Sequence, residues 1–436
     1  MTSWIGETFT SDAGWEHLQQ LVDAGNRMAG TEGERRGAEA TRDALETVGA
    51  RNARIERFDI QGWKRTDSGI HAGDTEQDCI ALPRSPSSTA TGELVDLGYG
   101  LPSDFKKADL EGAVVLVRSD VPDYYDRYVH RREKYYYAVE AGADAFVYRN
   151  HVEGCLPPTG SVGTPDAPIG DIPAVGVSSE VGSRLARRFD GETAEVAVEA
   201  TIEDAESQNV YAELGPETDE RILVTSHVDA HDIAEGAMDN GAGTAVVLEI
   251  ARALSERASD LDTRIEFVVF GAEEVGLVGS YADAADRDLE TVRAILNNDG
   301  VVRGRTLQLY SHGWDTLEDA AETVADRFDH PVTTVPRHNP HSDHWPFVQE
   351  GVPAVMAMSE TGSQGRGWGH TFADTLDKID VRTLREQAIL LTDLVVELAA
   401  EERAIAHRDT DAIAAELAEQ DLAEGMKVTG DWPFDA

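Results

Sequence analysis

Short apolar segments alternate with longer amphipathic ones through the second half of the chain, and this pattern constrains the fold more than any other feature. Five short runs have the composition of buried strands, namely residues 222–225, 265–270, 292–296, 307–310 and 354–358. The segments between and after them favour helices at residues 241–256, 277–285, 316–328 and 381–400. Apolar strands separated by such helices indicate an α/β fold, in which a mostly parallel mixed sheet is sandwiched by helices.

The first two hundred residues predict a helical start and then a smaller unit. Apolar positions at helical spacing predict helices within residues 10–49, and residues 53–60 favour a strand. The pattern is weak over residues 62–86, where Pro, Ser and Gly are frequent. Further along, strands are predicted at residues 114–117, 145–148 and 172–177, with helices over residues 125–141 and from Ser178 or Ser179 onward.

We therefore divide the chain into four parts. Residues 1–85 form the N-terminal part of the main domain, and residues 86–203 form an inserted domain that is β-rich or α+β. Residues 204–405 form the rest of the main domain. Residues 406–436 are expected to form an acidic helix with a loose tail.

The charge balance excludes two classes of partner. The chain has 82 acidic and 38 basic residues, for a net charge of −44, and a field of this sign repels nucleic acid and anionic membrane surfaces. Only six of the basic residues are lysine, and the acidic residues are dispersed. This composition is typical of proteins that work in molar salt, where charge repulsion is screened. We expect a halophilic protein that unfolds in low salt; the alternative is an ordinary acidic protein.

The cysteines and the start of the chain favour a cytoplasmic protein. Cys79 and Cys155 are far apart and have no metal-binding spacing, so two reduced thiols are expected, although one disulfide remains an alternative. The first twenty residues lack a basic segment followed by an apolar one. No run of about 20 apolar residues occurs, so no membrane association is expected.

Side chains that bind metals follow the ends of the predicted strands. In an open α/β sheet, ligands bind beyond the carboxyl ends of the strands. Two histidines and five carboxylates lie in such positions: His227, Asp229, Asp239, Glu273, Glu274, Asp299 and His370. His227 and Asp229 are two residues apart, and alternate residues of an extended segment share a side. We expect these side chains to converge at one edge of the sheet.

Imidazole and carboxylate oxygen are suitable ligands for zinc, and two histidines with three carboxylates are enough for two metals that share a water. A further carboxylate beside that water can act as general base. Each residue also has a simpler interpretation. Asp239 can be a helix cap, the Glu273–Glu274 pair a solvated loop and Asp299 a turn residue, and a single histidine after a strand is usually a packed or surface residue.

Six motifs in a fixed order resemble a known family. HVD, AMDNGAG, FGAEEVGLVGS, NNDG, SDHWPF and GHTFADT are similar to motifs of the di-zinc metallopeptidases of the leucyl aminopeptidase and aminopeptidase Y type, over residues 208–400. Residues 113–188, with GADAFVY and IPAVGVSSEVG, resemble the protease-associated (PA) domain inserted in many members. The resemblance implies the zinc exopeptidase fold, peptide substrates and most simply an aminopeptidase.

The resemblance also implies a role for each residue. His227 and Asp299 would bind one Zn²⁺, Glu274 and His370 the other, and Asp239 would bridge them. Co²⁺ or Mn²⁺ can replace zinc in this role. Glu273 would be the general base, and Asp229 would fix the orientation of His227 without binding metal.

The sequence departs from some relatives before the last histidine. Those relatives have a tyrosine that stabilises the oxyanion, but this chain has Gly369, so another donor is expected. The candidates are His312, His341 and His344, each of which can instead be a polar loop residue. Asp343 is expected to support the metal ligands, and Trp368 to pack at the rim.

Three other functions remain open on this fold. A carboxypeptidase or dipeptidase would need a basic group for the substrate carboxylate, and Arg337 or Arg366 are candidates. A non-catalytic, receptor-like relative usually lacks some of the metal ligands. A glutaminyl-cyclase-like acyltransferase would release ammonia from an N-terminal glutamine.

Overall fold

The computed structural model describes residues 3–361 and 367–434. Its helices are α1 (Ser3–Thr10), α2 (Ala13–Asp23), α3 (Glu32–Thr47), α4 (Pro102–Phe105), α5 (Arg131–Glu140), α6 (Ser179–Phe189), α7 (Ala242–Glu256), α8 (Val278–Asp286), α9 (Asp315–Phe328), α10 (Trp345–Val348), α11 (Val381–Ala399), α12 (Thr410–Glu419) and α13 (Ala423–Val428). Its strands are β1 (Arg51–Ala72), β2 (Thr75–Gln77), β3 (Ile80–Ala81), β4 (Ser88–Asp96), β5 (Val114–Arg118), β6 (Ala145–Arg149), β7 (Ala174–Val177), β8 (Thr193–Leu214), β9 (Arg221–His227), β10 (Arg264–Phe270), β11 (Val292–Asn298), β12 (Leu307–Tyr310), β13 (Val332–Val335) and β14 (Ala354–Ser359).

The chain folds into two compact units. The first comprises Met1–Ile60, Glu206–Gly369 and Asp374–Ile413, and the second comprises Gln61–Ala205, His370–Ala373 and Ala414–Ala436. Strands β1 and β8 carry the chain from one unit to the other. The four-residue segment His370–Ala373 is therefore grouped with the second unit, although its neighbours in the chain belong to the first.

The first unit contains a mixed sheet with the strand order β13-β12-β14-β11-β9-β10-β8. The four central strands β14, β11, β9 and β10 are parallel to one another, whereas β12 runs antiparallel to β14 and β8 antiparallel to β10. The central strands are almost completely buried, as their uninterrupted apolar sequences require. The predicted α/β class and mostly parallel mixed sheet are confirmed.

Two long helices cover the centre of this sheet. Helices α7 and α11 pack against each other, and both contact β9. Helix α11 begins where Asp380 accepts hydrogen bonds from the main-chain N–H groups of Arg382 and Thr383, which satisfies two donors at its first turn. Helices α7, α8, α9 and α11 lie within one residue of the predicted bounds, because each combines helical periodicity with clear ends.

The second unit has its own parallel strands. Strands β4, β5, β6 and β7 are parallel in this order, with β8 antiparallel to β4 at one side and β3 antiparallel to β7 at the other. Two apolar clusters pack around these strands; one contains Leu116, Val147 and Leu185, and the other contains Val115, Tyr135 and Phe146.

Three segments of the second unit differ from what the sequence indicated. Residues 62–86, where the sequence pattern is weak, contain the end of β1 together with β2 and β3. Strand β8 was missed although Ala194, Val196 and Val198 alternate with exposed or half-buried residues. Helix α5 starts at Arg131 rather than at residue 125, because His130 has an extended backbone and caps the helix by accepting from the N–H of Arg132.

The C-terminal residues are more ordered than expected. Asp431 forms two hydrogen bonds with the guanidinium of Arg132, at 2.9 and 3.1 Å, and Glu424 contacts Lys106 at 2.6 Å. Helix α13 packs against α5. The prediction of a loose tail is therefore wrong for this segment, since its contacts come from residues about 300 positions earlier in the chain.

Two further features are the state of the cysteines and the length and polarity of the helices. Cys79 and Cys155 are both free thiols, as expected. Within residues 3–361 and 367–434, every helix is too short or too polar to cross a bilayer.

Candidate metal centre

The carboxyl ends of three adjacent parallel strands bring the predicted side chains to one place. Strand β9 ends at His227, and its neighbour β10 ends in register with it at Phe270, three residues before Glu273. Strand β11 pairs with the other side of β9 and ends at Asn298, directly before Asp299. Parallel pairing in this register explains why residues over 70 positions apart in the chain share one edge.

His227 lies at the centre of a group of carboxylates. Its Nε2 atom is 3.6 Å from Oδ1 of Asp239, 4.0 Å from Oε2 of Glu273 and 4.0 Å from Oδ1 of Asp299. The ligand atoms of His227, Glu273 and Asp299 all lie within 4.8 Å of one another, and all three residues are largely buried. The structure therefore brings three of the predicted residues to within metal-binding range of each other and places a fourth, Asp239, beside His227.

The arrangement around His227 fits a cation. Its Nδ1 atom faces only acceptors, the main-chain oxygen of Asp229 at 3.1 Å and Oδ1 of the same residue at 3.3 Å, so Nδ1 carries the proton. In the neutral ring, Nε2 then presents a lone pair. This buried atom has no hydrogen-bond partner among the described residues and faces carboxylate oxygens. A lone pair surrounded by carboxylates is a metal-ligand set of the kind that zinc prefers.

The charges in this group perturb one another strongly. Burial opposes protonation of His227, but the carboxylates of Glu273, Asp229 and Asp239 outweigh burial and raise the pKa of His227 well above its ordinary value. Burial raises the pKa of Glu273 well above its ordinary value; the adjacent Glu274 and Asp299 add to this, while His227 opposes it. Carboxylates this close together and this far from water need positive charge to remain ionised.

Asp229 fixes the orientation of three other residues of the centre. Besides contacting Nδ1 of His227, its two carboxylate oxygens accept hydrogen bonds from the main-chain N–H groups of Glu273 and Glu274, each at 3.1 Å. The sequence suggested only the contact with His227. Asp229 also links the ends of β9 and β10, because the two glutamates follow β10.

Asp239 lies in the turn before α7 and is held by two residues that sequence reasoning did not select. Asp374 accepts hydrogen bonds from the N–H groups of Met238 and Asp239, at 2.6 and 3.1 Å. Burial and the charge of Asp239 raise the pKa of Asp374 to about 6, while these hydrogen bonds and Arg303 oppose that rise. The buried Nη2 of Arg303 lies 3.1 Å from Oδ2 of Asp239. Asp374 belongs to the GHTFADT motif, which could have suggested it.

Asp299 is oriented by the SDH motif. The hydroxyl of Ser342 donates to Oδ2 of Asp299 at 2.7 Å and accepts from the side-chain amide of Asn297 at 2.9 Å. This leaves Oδ1 as the oxygen that faces His227. Next to Ser342, Asp343 is fully buried, and burial together with Asp229 and Asp299 raises its pKa to about 8, with His227 opposing.

Glu274 has a partner that the sequence analysis missed. Nε2 of His231 lies 2.9 Å from Oε2 of Glu274, and both side chains are buried. The alternation that selected His227 and Asp229 would have selected His231 as well if we had extended it by two residues.

His370 is the one predicted ligand that the structure groups with the other unit. Its backbone is in the left-handed region (φ 57°), and its carbonyl accepts a hydrogen bond from the N–H of Thr159 at 2.8 Å. Both residues belong to the second unit. The role of His370 as a metal ligand therefore stays a prediction.

An arginine from the N-terminal helices supports two of the site loops. The buried guanidinium of Arg27 donates to the carbonyls of Val228, Glu235 and Gly236, each at 2.9 Å, and to that of Leu21 at 2.7 Å. Val228 lies between His227 and Asp229, and Gly236 shortly precedes Asp239. No local motif marks Arg27, since its partners lie about 200 residues away.

Two of the three candidate oxyanion donors are unsuitable. His312 and His344 are fully buried, with ring centroids 4.6 Å apart, and burial lowers the pKa of His344 to about 3. Complete burial separates both rings from a substrate, so His341, which is exposed, remains the candidate.

Trp368 is half-buried, with the ammonium of Lys378 over its ring. Arg366 lies outside the described residues.

Two segments of the chain match the models of known protein families. Residues 209–395 match the model of peptidase family M28, and residues 90–185 match the PA domain. The chain is 29% identical to aminopeptidase YwaD of Bacillus subtilis (strain 168), over 91% of this chain and 86% of that protein. It is 28% identical to leucine aminopeptidase 2 of Trichophyton equinum, over 66% of this chain and 57% of that protein.

Solved structures show the same fold. An aminopeptidase from Aneurinibacillus sp. strain AM-1 superposes with a TM-score of 0.70 and 26% identity, over 94% of this chain and 99% of that one. A zinc aminopeptidase from Bacillus subtilis gives a TM-score of 0.70 with 24% identity, over 92% and 98% of the two chains.

Proposed function

We infer that this chain, which belongs to peptidase family M28 and carries a PA domain, is a zinc-dependent aminopeptidase. The observation that carries the proposal is the position of the buried Nε2 atom of His227, which is surrounded by the carboxylates of Asp239, Glu273 and Asp299. The aminopeptidases among its relatives support the choice of reaction.

We assign two zinc ions to the centre. As the resemblance of the motifs implies, His227 and Asp299 would hold one ion and Glu274 and His370 the other, with Asp239 shared by both. The ligand chemistry also suits Co²⁺ or Mn²⁺. When bound, such a pair of ions supplies a water of lowered pKa and polarises the scissile carbonyl.

Glu273 is the residue that moves the proton. Its carboxylate lies 4.0 Å from Nε2 of His227, and its main-chain N–H donates to Asp229, so the side chain faces the centre. The assignment above gives both ions their ligands without Glu273. As general base it accepts a proton from the attacking water at one carboxylate oxygen and then donates it to the leaving amine. The other residues keep the centre in one geometry: Asp229 and Ser342 orient His227 and Asp299, and Asp374 orients the turn that carries Asp239.

The test replaces Glu273 by Gln and measures both zinc content and turnover. An amide of the same shape cannot accept the proton, so kcat for an aminoacyl-nitroanilide should fall by about 10²–10⁴-fold. Bound zinc should stay at the wild-type level. Glu217→Gln is the control, since this glutamate is exposed in the loop before β9.

An N-blocked dipeptide separates the aminopeptidase from the carboxypeptidase or dipeptidase alternative. An aminopeptidase hydrolyses the nitroanilide and leaves the blocked dipeptide intact. Hydrolysis of the blocked substrate alone would contradict the proposal, and so would full activity of Glu273→Gln.

A further inference from the structure

The five residues from His227 to His231 contact both glutamates that follow β10. Asp229 accepts hydrogen bonds from the N–H groups of Glu273 and Glu274, and His231 contacts the carboxylate of Glu274. The three polar side chains of this segment are at alternate positions, so extended backbone directs them to one side. Glu274 is therefore held at two points, its backbone by Asp229 and its carboxylate by His231.

The contact between His231 and Glu274 is close and buried. Nε2 of His231 is 2.9 Å from Oε2 of Glu274, and the two side chains are 5% and 4% exposed. We assign the ring hydrogen of His231 to Nε2, because the carboxylate that Nε2 faces at this distance can only accept. A ring nitrogen that carries a proton has no lone pair left for a metal.

Carboxylates that bind metals are usually hydrogen-bonded in turn at their second oxygen. Without a donor, a buried glutamate can rotate about its last torsion and present either oxygen, or both. A donor fixed to Oε2 selects one orientation and leaves Oε1 directed elsewhere. Asp299 shows the same arrangement: the hydroxyl of Ser342 donates to Oδ2, and Oδ1 faces His227.

We propose that His231 is a positioning residue of the metal centre, which holds Oε2 of Glu274 and so presents its carboxylate to the metal in one orientation. This rests on the proposed function, because it requires that Glu274 bind a metal. His231 itself does not bind the metal. Its imidazole acts through Glu274, and any side chain that places an N–H at the same point can replace it.

The test is a zinc titration of the full chain by calorimetry, with His231→Phe and His231→Gln. Phenylalanine fills the buried space without a donor, so the affinity for one equivalent of zinc should fall by about 10–100-fold. Glutamine supplies an N–H donor, so it should restore most of the wild-type affinity. The visible absorption of the Co²⁺-loaded protein should change with His231→Phe and stay near wild type with His231→Gln, which a general loss of stability would not produce.

His17→Phe is the matched control. His17 is also a buried histidine of the first unit, and its Nε2 contacts the hydroxyl of Thr41 on α3 at 3.1 Å rather than a carboxylate of the centre. This change should lower stability and leave zinc affinity unchanged.

Two results would overturn the positioning role. Wild-type zinc affinity in His231→Phe would show that the contact does not matter. Equal loss in His231→Gln and His231→Phe would show that the imidazole is itself a ligand. Failure of the wild-type protein to bind zinc would instead contradict the proposed function, and this inference with it.

Discussion

Neighbouring groups shift the pKa values of two buried imidazoles in this protein in opposite directions. The carboxylates around His227 raise its pKa despite burial. His17 is in α2, and its ring contacts the hydroxyl of Thr41 on α3, so burial dominates and lowers its pKa to about 4, with the charge of Arg27 acting in the same direction. The side chain is the same in both places, and the neighbouring charges decide the direction of the pKa shift.

The lowered pKa of His17 predicts a pH-dependent stability. Below about pH 6.5 the unfolded chain binds a proton at this histidine before the folded chain does, so stability is complete above pH 6.5 and falls as the pH drops towards 4. Between about pH 7.5 and about pH 5 the loss should be about 2 kcal/mol. His17→Gln cannot titrate and should lack this component.

Urea unfolding of both proteins in chelator, at several pH values, measures the effect. The difference between their free energies of unfolding should shrink as the pH falls, and other titrating groups cancel because they are common to both. A constant difference would show that His17 is not held neutral.

At the scale of elements, the N-terminal helices are part of the site although they contribute none of the predicted ligands. Arg27 follows α2 and donates to carbonyls of two loops that carry His227, Asp229 and Asp239. Glu34 on α3 accepts from the N–H of Ala272, directly before Glu273, at 3.1 Å. These contacts join segments that the sequence separates by more than 200 residues.

Replacing Arg27 by Met should weaken both folding and metal binding. Four carbonyls would lose the Arg27 donor, although those of Leu21 and Gly236 keep a main-chain donor, from Ala24 and Gly241. Because one buried unsatisfied group costs about 1–3 kcal/mol, the free energy of unfolding should fall by more than about 2 kcal/mol. Zinc affinity should fall as well, because the loops on both sides of the centre are released. Denaturant unfolding and a zinc titration measure the two effects.

Arg36→Met serves as the comparison for Arg27→Met. Arg36 is an exposed arginine on α3 with a single main-chain contact, to the carbonyl of Ala24 at 2.6 Å. Its replacement should change stability by less than about 0.5 kcal/mol. Similar losses in both variants would contradict the special role of Arg27.

At the scale of the whole molecule, charge is the property that dominates. The net charge of −44 is distributed over both units, and arginine supplies the buried ion pairs Arg127–Glu133 and Arg287–Glu266. The planar guanidinium makes two hydrogen bonds to Glu133, at 2.9 and 2.6 Å. Such pairs are little affected by salt, whereas repulsion between exposed carboxylates is strongly screened.

We propose that the protein needs high salt to stay folded. The Debye length is about 10 Å at 0.1 M and about 3 Å at 1 M, so repulsion among surface carboxylates decreases steeply over this range. The Tm should therefore rise between about 0.1 M and about 2 M KCl, and activity should be lost on dialysis into low salt. Sucrose at equal osmolality controls for solvent exclusion. An unchanged Tm and full activity at millimolar salt would reject the proposal.

Periodicity in the sequence determined the central strands, the long helices and the α/β class. It did so because a segment buried on one or both faces must be apolar at fixed intervals, whatever its partners are. The motifs likewise selected His227, Asp229, Asp239, Glu273 and Asp299, because ligands in this class of fold follow strand ends. Buried apolar residues alternate just as clearly with more exposed ones at the start of β8, so the sequence also contained the signal for this strand.

The tertiary structure alone decided which groups hold those residues in place. Arg27, Arg303 and Ser342 act through hydrogen bonds to partners that are far away in the chain, so no local spacing marks them. The start of α5 and the order of the C-terminal segment depend in the same way on single caps and on distant ion pairs. The spacing of apolar residues along the chain indicates which positions are buried, because each residue's own polarity reflects its burial. The contact between two side chains that are far apart in the sequence forms only when the chain folds, so no local spacing predicts it.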